Sequence, residues 1–342
     1  MSSNVSAEYR QLGKSGLRIS VPVFGGMTVG NSKWAPWVLD EDKGIPLMKA
    51  AWDLGINTFD TANTYSNGDA EKMIAKFAAK YDIPRENLVI MTKVFFLVSS
   101  DPTHVTTIMP QLNNLRDFVN QGGLSRAAIF NQVEASLKRL NTTYIDVLQV
   151  HAFDPVTPPT ETMKALHDLV LSGKVRYLGA SNMRAWQFAE LQRVADVNHW
   201  TPFVSIQVEY SLLYRVPELE LLDYCNFTGV GVIVYSPLMD GHLARPLGTE
   251  TDRTKSIAGT FFEKRRRDSD KKIIQRVEEL ADKKGWTMSQ VALAWVASKV
   301  TAPITGANTP ERLEQSIITC KTLTPEEIKY LEEPYEIQGP RW

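Results

Sequence analysis

The sequence predicts a closed (β/α)8 barrel, an α/β fold in which parallel strands alternate with helices. Three observations predict it. Eight short apolar runs rich in β-branched residues recur along the chain, nearly all separated by helix-length segments, a rhythm that predicts parallel pairing with helical crossovers. An open doubly wound sheet is the competitor, but no GxGxxG follows the first run, since Gly25-Gly26-Met27-Thr28-Val29-Gly30 lacks that spacing. Finally, 342 residues with 43% apolar content suffice for one large barrel core.

Residues 1 to about 8 read as a frayed end, so one barrel domain is expected over 9–342. Tyr9–Ser20, with turn signals at Gly13-Lys14 and Ser15-Gly16, reads as a β-hairpin. Val21–Gly25 is the first barrel strand, and a helix from about Asp42 to Leu54 follows, closed by Gly55. The run through Ile56, Thr58 and Phe59 is the second strand and stops at Asp60. A polar turn leads to a helix near Ala70–Tyr81, whose first-turn carboxylates include Asp69 and Glu71. Leu88–Val94 is strand three.

A long excursion, Phe95–Gly123, then precedes the helix Ser125–Leu140, with Ser125 as N-cap. Strands four to seven are Ile145–Val150, Val175–Gly179, Phe203–Val208 and Val230–Tyr235. Their intervening helices are Thr160–Leu171, Trp186 to about Val197, and Pro217–Tyr224. A second excursion, Ser236–Ser269, leads to helices Asp270–Lys284 and Ser289–Ser298. Ala302–Thr305 is strand eight, Pro310–Thr319 its helix, and Pro325–Glu332 an extra C-terminal helix.

Bulk properties exclude several classes. A formal net charge of −1 gives no reason to expect nucleic acid or an anionic membrane as partner. Two cysteines, Cys225 and Cys320, make neither a disulfide framework nor a metal site. The start MSSNVSAEYR has no apolar signal region, and no run approaches the ~20 apolar residues of a membrane helix. The expectation is a cytoplasmic protein without a metal, acting on a small molecule, with a homo-oligomer left open.

In such a barrel the C-terminal strand ends share one face, where active sites lie. Strand two delivers Asp60, with Tyr65 in its loop; strand three delivers Lys93 and strand four His151. Strands five to eight add Ser181-Asn182, Gln207 and Glu209, Tyr235-Ser236, and Gly306 with Asn308. Alone, His151 suits a structural histidine and Lys93 a solvated strand-end cation. Together, Asp, Tyr, Lys and His at one end of successive strands suggest chemistry. A phenol titrates near ~10, too high for efficient proton exchange at neutral pH. A neighbouring ammonium is expected to lower that value, with Asp60 orienting Lys93. His151 is then placed to hydrogen-bond a developing oxyanion. The set suits reversible proton transfer to a carbonyl oxygen, and the hydride implies a nicotinamide.

The segments FDTANTYSNGDAE, MTKV, QVHAFDP, GKVRYLGASN, SIQVEYSLLYR and YSPLMDGHL, in this order, resemble the aldo-keto reductase superfamily. The resemblance runs from LGKSGLRISVPVFGGM to ITGANTPERLEQSI, and is nearest the branch of fungal aryl-alcohol-dehydrogenase-type reductases and potassium-channel β-subunits. It implies NADP(H) held across the barrel mouth, with Tyr65 as general acid, Lys93 and Asp60 tuning it, and His151 orienting the carbonyl. By the same resemblance Ser181, Asn182 and Gln207 hold the carboxamide and Tyr235 stacks on the nicotinamide. Ser236, Pro237, Leu238 and Gly241 wrap the pyrophosphate, Gly26, Met27 and Thr28 join the cofactor site along with Asp60, and Gly306, Asn308, Arg312, Gln315 and Ser316 take the adenosine end. Arg312 is the residue expected on a 2′-phosphate, because a guanidinium matches phosphate geometry.

Two departures stand out. Ala152 follows His151 where close relatives often carry Arg, and Met239-Asp240-Gly241-His242 replaces a segment usually small or basic.

The first excursion carries Phe95, Phe96, Leu97, Ile108, Met109 and Phe118. With Trp34, Trp37 and Tyr214, and beside Tyr65 and His151, Phe95 and Phe96 either wall an aromatic or bulky apolar substrate pocket or pack the loop onto the barrel. The basic run Lys264–Arg267 reads as a solvated face, with a lid over the cofactor as the alternative. Nothing in the sequence fixes whether the tail Gly339–Trp342 reaches the mouth. The leading expectation is an NADPH-dependent carbonyl reductase. The alternatives are a Schiff-base aldolase using Lys93, and an NADPH-binding redox-sensing subunit.

Overall fold

Strands β1 (Glu8–Gln11) and β2 (Arg18–Val21) pair antiparallel, Glu8 opposite Val21. The structure, a computed structural model, describes residues 6–249, 255 and 267–341. Eight further strands among them pair only in parallel: β3 (Val23–Gly25), β4 (Thr58–Asp60), β5 (Val89–Val94), β6 (Ile145–Val150), β7 (Val175–Ser181), β8 (Phe203–Glu209), β9 (Gly231–Tyr235) and β10 (Ala302–Thr305). They close into a barrel in the order β10-β3-β4-β5-β6-β7-β8-β9. The (β/α)8 reading of the sequence is correct.

The helices form the outer ring: α1 (Glu41–Asp53), α2 (Asp69–Lys80), α3 (Arg126–Leu140), α4 (Pro159–Leu171), α5 (Ala185–Val197), α6 (Leu221–Thr228), α7 (Asp268–Lys284), α8 (Met288–Lys299), α9 (Pro310–Glu314) and α10 (Pro325–Glu332). Strand residues such as Phe24, Phe59, Ile90 and Leu148 point outward into a core shared with these helices. Val23, Met91, Val147 and Ile233 fill the barrel interior, where Leu12, Ile19 and Val21 of the hairpin join them and plug its N-terminal end. Gly13 (φ +58°) makes that plug possible, because a Cβ there would lie 2.4 Å from the backbone N of Gly231.

Several boundaries differ from the sequence reading, each for a local reason. Val21 completes the hairpin instead of opening the barrel, with Pro22 separating the two strands. Ser6 and Ala7, read as part of a frayed end, hydrogen-bond Leu54 O at 3.2 and 2.8 Å, and Thr319 Oγ1 donates to Ser6 O. The segment expected as one helix over Pro217–Tyr224 is a single 3-10 turn, Val216–Leu219, and then α6, broken at Glu220 (φ −158°, ψ −46°). The helix expected over Pro310–Thr319 stops after α9, where the bonds tighten to i→i−3 at Ser316 and Ile317. The chain then turns inward and buries Ile317 and Ile318. Residues 1–5, Lys264–Arg266 and Trp342 lie outside the described residues, while Arg267 pairs with Asp270 at 2.8 Å.

Candidate active site

Parallel register brings the polar strand ends to one level of the barrel. Gly25 lies opposite Asp60, Lys93 opposite Gln149, Ser181 opposite Gln207, and Glu209 opposite Tyr235. Asp60 and Lys93 are buried, and Lys93 Nζ donates to Asp60 Oδ1 at 2.5 Å, to Thr61 O at 2.9 Å and to Tyr65 OH at 3.5 Å. Burial works against the Lys93 charge, but Asp60, with Tyr65, more than offsets it and holds the ammonium above its ordinary pKa.

Tyr65 leaves the strand on a turn of left-handed residues, Ser66 (φ 48°), Asn67 (φ 50°) and Gly68 (φ 91°), before α2 begins. Such conformations persist when their surroundings fix them. Here Ser66 Oγ accepts from Asn31 N at 3.1 Å, and the Asn67 amide bonds Asp101 O, His104 O and Ser99 N at 3.1, 2.8 and 3.1 Å. Burial raises the Tyr65 phenol above its ordinary value. Lys93 pulls it down by less than burial lifts it, and Asp60 adds to the rise. The expected lowering is therefore corrected: desolvation outweighs the ammonium, and the group stays a phenol.

His151 lies edge-on to Tyr65, ring centroids 5.8 Å apart, and to Phe96 at 5.1 Å. Burial, then the charge of Lys93, holds its imidazole well below the ordinary pKa, so it is neutral at physiological pH. Its Nδ1 is buried without a partner.

On the opposite wall, Ser181 Oγ donates to Gln207 O (2.9 Å), Asn182 Nδ2 donates to His151 O (3.1 Å), and Tyr235 OH donates to Asn182 Oδ1 (2.9 Å). Gln207 is placed differently from a simple carboxamide ligand. Its Nε2 donates to Asp60 Oδ2 at 2.8 Å and to Gln149 Oε1 at 3.0 Å, so the amide nitrogen is committed inside the barrel.

After β9 the chain turns tightly, with Ser236, Met239, Asp240 and Gly241 all at positive φ. Arg245 Nη1 reaches Gly241 O at 3.5 Å. Arg245 is half-buried, and burial together with the nearby charge of Arg312 depresses its pKa. The charge of Arg312 thus works against that of Arg245. Arg312 Nη1 also donates to Asn308 Oδ1 at 2.5 Å. Gly306 faces Thr28, where a Cβ would meet Thr28 Cγ2 at 2.7 Å, so the segments that follow β3 and β10 pack closely. Asn308 and Gln315 are exposed, but Ser316 is not, because its Oγ donates to Leu313 O at 2.6 Å inside the fold.

The first excursion is fastened to the same turn. Its ends meet where Gly123 N donates to Phe95 O at 2.7 Å. Gln132 of α3 clasps both ends, accepting from Phe95 N (2.8 Å) and donating to Gly123 O (3.1 Å) while also accepting from Asn63 Nδ2 (2.9 Å). Asn63 Nδ2 further donates to Phe96 O, and Thr64 Oγ1 meets Thr106 Oγ1 at 2.7 Å. Phe95 takes φ 152°, a region comfortable only for glycine, and its cost is of order 1–3 kcal/mol. The loop's apolar residues divide by burial and contact. Leu97 and Leu112 are buried and pack it down, Phe96 faces His151, and Ile108, Leu115 and Val119 are exposed.

Trp34 is buried beside Trp37, ring centroids 6.0 Å apart. Tyr214 meets the chain's C-terminal tail, with the guanidinium of Arg341 4.4 Å over its ring and pairing with buried Glu209. Tyr214 thus anchors the tail instead of presenting a free ring.

The sequence reading did not single out Gln149, Gln132, Asn63 or Arg245. Gln149 had a visible signal, being two residues before His151 in an apolar strand and hence on the same face. Gln132 and Arg245 had none, because their roles depend on partners 37 and 67 positions away.

A family model described as the aldo/keto reductase family matches residues 23–336. The chain is 50% identical to an aldo-keto reductase of Fusarium vanettenii, over 98% of this chain and 94% of that protein. It is 45% identical to the versiconal hemiacetal acetate reductase of Aspergillus parasiticus (96% and 97% covered). It is 46% identical to a putative aryl-alcohol dehydrogenase of Saccharomyces cerevisiae (97% and 98%).

Proposed function

The chain belongs to the aldo/keto reductase family, and from that premise we propose that it is an NADPH-dependent reductase of aromatic or bulky apolar aldehydes and ketones. The observation that carries the reading is the hydrogen-bonded chain Asp60–Lys93–Tyr65, with neutral His151 beside it. Bound at the mouth, a reduced nicotinamide supplies the hydride to the carbonyl carbon.

The protein's own part is the proton and the oxygen. Tyr65 OH donates its proton to the carbonyl oxygen as that atom gains charge, and the Lys93 ammonium, 3.5 Å from the phenol, stabilises the phenolate left behind. Neutral His151 hydrogen-bonds the same oxygen without competing as an acid. Phe96, edge-on to His151, supplies an apolar wall that suits an aryl group, in keeping with the relatives named for aryl alcohols. A Schiff-base role suits Lys93 poorly, because its raised pKa keeps it protonated and non-nucleophilic.

Ser181, Asn182 and Gln207 Oε1 would hold the carboxamide, and the turn Ser236–Gly241 the pyrophosphate. The Arg245–Arg312 pair suits the additional phosphate that distinguishes NADPH from NADH, since an anion between two neighbouring guanidiniums would offset their repulsion. Arg312→Ala is accordingly expected to weaken NADPH binding about 10- to 100-fold, the scale of charge-assisted hydrogen bonds, and to leave NADH binding nearly unchanged. Fluorescence titration with each nucleotide checks this; equal weakening of both would remove Arg312 from the phosphate site.

The test of the function itself is NADPH oxidation by the purified protein with a panel of aromatic and aliphatic aldehydes. Turnover that favours the aromatic members is expected. Tight NADPH binding with no turnover on any of them would sink the reading in favour of a nucleotide-sensing subunit.

A further inference from the structure

Gln149 is fully buried in β6, and its side chain crosses the barrel towards Asp60. The crossing is possible because its partner across the β6–β7 pairing is Gly179, where a Cβ would lie 3.0 Å from Gln149 Cγ. Gln149 Nε2 donates to Asp60 Oδ2 at 2.8 Å, the oxygen that also receives Gln207 Nε2 at 2.8 Å. Gln149 Oε1 in turn accepts from Gln207 at 3.0 Å. The amide orientation is thereby fixed, because an oxygen that faces Gln207 Nε2 leaves only the NH2 to face the carboxylate. Asp60 Oδ1 is left wholly to Lys93, whose Nζ lies 3.5 Å from Tyr65 OH.

We propose that Gln149 is a positioning residue that joins the group holding the cofactor's carboxamide, Gln207, to the Asp60–Lys93–Tyr65 chain, so that cofactor binding and the acid's readiness are set together. The inference rests on the reading of Tyr65 as the proton donor and of Gln207 as a nicotinamide contact. Its physical content is that a shift of Gln207 towards a ligand moves both donors on Asp60 Oδ2. Asp60 then swings about the Lys93 contact, and the ammonium's distance from the phenol changes.

Two substitutions separate positioning from mere packing. Gln149→Leu keeps volume and removes both polar partners. It is expected to lower kcat/KM about 10- to 100-fold, the scale of a hydrogen bond to a charged group, and to weaken NADPH binding measured by fluorescence titration. Gln149→Glu has a sharper signature. While protonated, the new carboxyl donates its O–H to Asp60 and accepts from Gln207, which reproduces the native pattern. Once ionised it repels Asp60. Buried beside that carboxylate, it titrates above the ordinary carboxylate range. The ratio of variant to wild-type kcat/KM should therefore be near one at low pH and fall as pH rises, with NADPH affinity falling over the same window.

A pH-independent ratio for Gln149→Glu, with unchanged NADPH binding in both variants, overturns the inference, as does equal loss at every pH. If Gln149→Leu does not fold, the Gln149→Glu ratio alone decides. Failure of the functional reading looks different, since wild-type protein would then show no NADPH-dependent turnover at any pH.

Discussion

Tyr65→Phe is expected to keep the fold and NADPH binding and to lower aldehyde turnover at saturating NADPH by at least ~10²-fold, the scale of general acid catalysis. The substitution removes one oxygen from a half-buried residue whose ring stays against His151. Lys93 retains Asp60 Oδ1 and Thr61 O, so no buried charge is orphaned. The loss therefore reads chemistry and not stability. Steady-state rates alongside a thermal melt check it, and unchanged turnover in a folded variant would remove Tyr65 from the role of acid.

The raised Tyr65 pKa adds a direction in pH. Because the phenol holds its proton up to and beyond ~10, reduction should lose no activity to Tyr65 deprotonation between neutral pH and that value. Oxidation of the alcohol, which needs the phenolate, should rise with pH across the same range. A reduction rate that falls between pH 7 and 9 in the wild type but not in a residual-activity Tyr65→Phe background would contradict the dominance of burial at this site.

Arg139→Ala is expected to destabilise the protein by about 3–5 kcal/mol, the range for breaking a buried ion pair from one side. Glu71, which in the sequence is a first-turn carboxylate of α2, is in fact fully buried. It accepts from Arg139 Nε at 2.6 Å and from Thr92 Oγ1 at 2.6 Å, Thr92 being the neighbour of Lys93 in β5. Removing the guanidinium leaves that carboxylate uncompensated. The aliphatic part of Arg139 also packs on Gly68, where a Cβ would meet its Cδ at 2.5 Å. A lower urea midpoint with little change in slope is the predicted record. Adding Glu71→Gln should recover most of the loss by removing the orphaned charge. A loss below about 1 kcal/mol for Arg139→Ala would show that solvent reaches Glu71.

The barrel was legible because its signal is local and repeated. Runs such as Ile145–Val150 and Gly231–Tyr235 announce buried strands by composition alone, and eight of them in register with helices leave few alternatives. That Asp60, Lys93 and His151 come together was legible for a related reason, since each is a polar residue at or beside the C-terminal end of a strand pattern, with Tyr65 in the loop that follows Asp60. The sign of the Tyr65 shift was not legible, because it is a contest between burial and one ammonium, and sequence spacing reports only the ammonium. Nor was the true role of Glu71, which depends on Arg139, 68 positions on. The α9 ending likewise reflects Ile317 and Ile318 entering the core, a tertiary demand that overrides helix continuation.

The fastening of the first excursion bears on how such a protein can be redesigned. Asn63, Thr64 and Asn67, which bracket Tyr65, hold the loop at Phe96, Thr106, Asp101 and His104, and Gln132 locks its two ends. A loop transplanted from a relative would arrive without the hands that grip it unless those four residues travel too. Loop frame and the Tyr65 turn form one connected unit. The exposed Ile108, Leu115 and Val119 lie outside that grip, and they are the positions at which the loop can be rewritten while Tyr65 stays where it is.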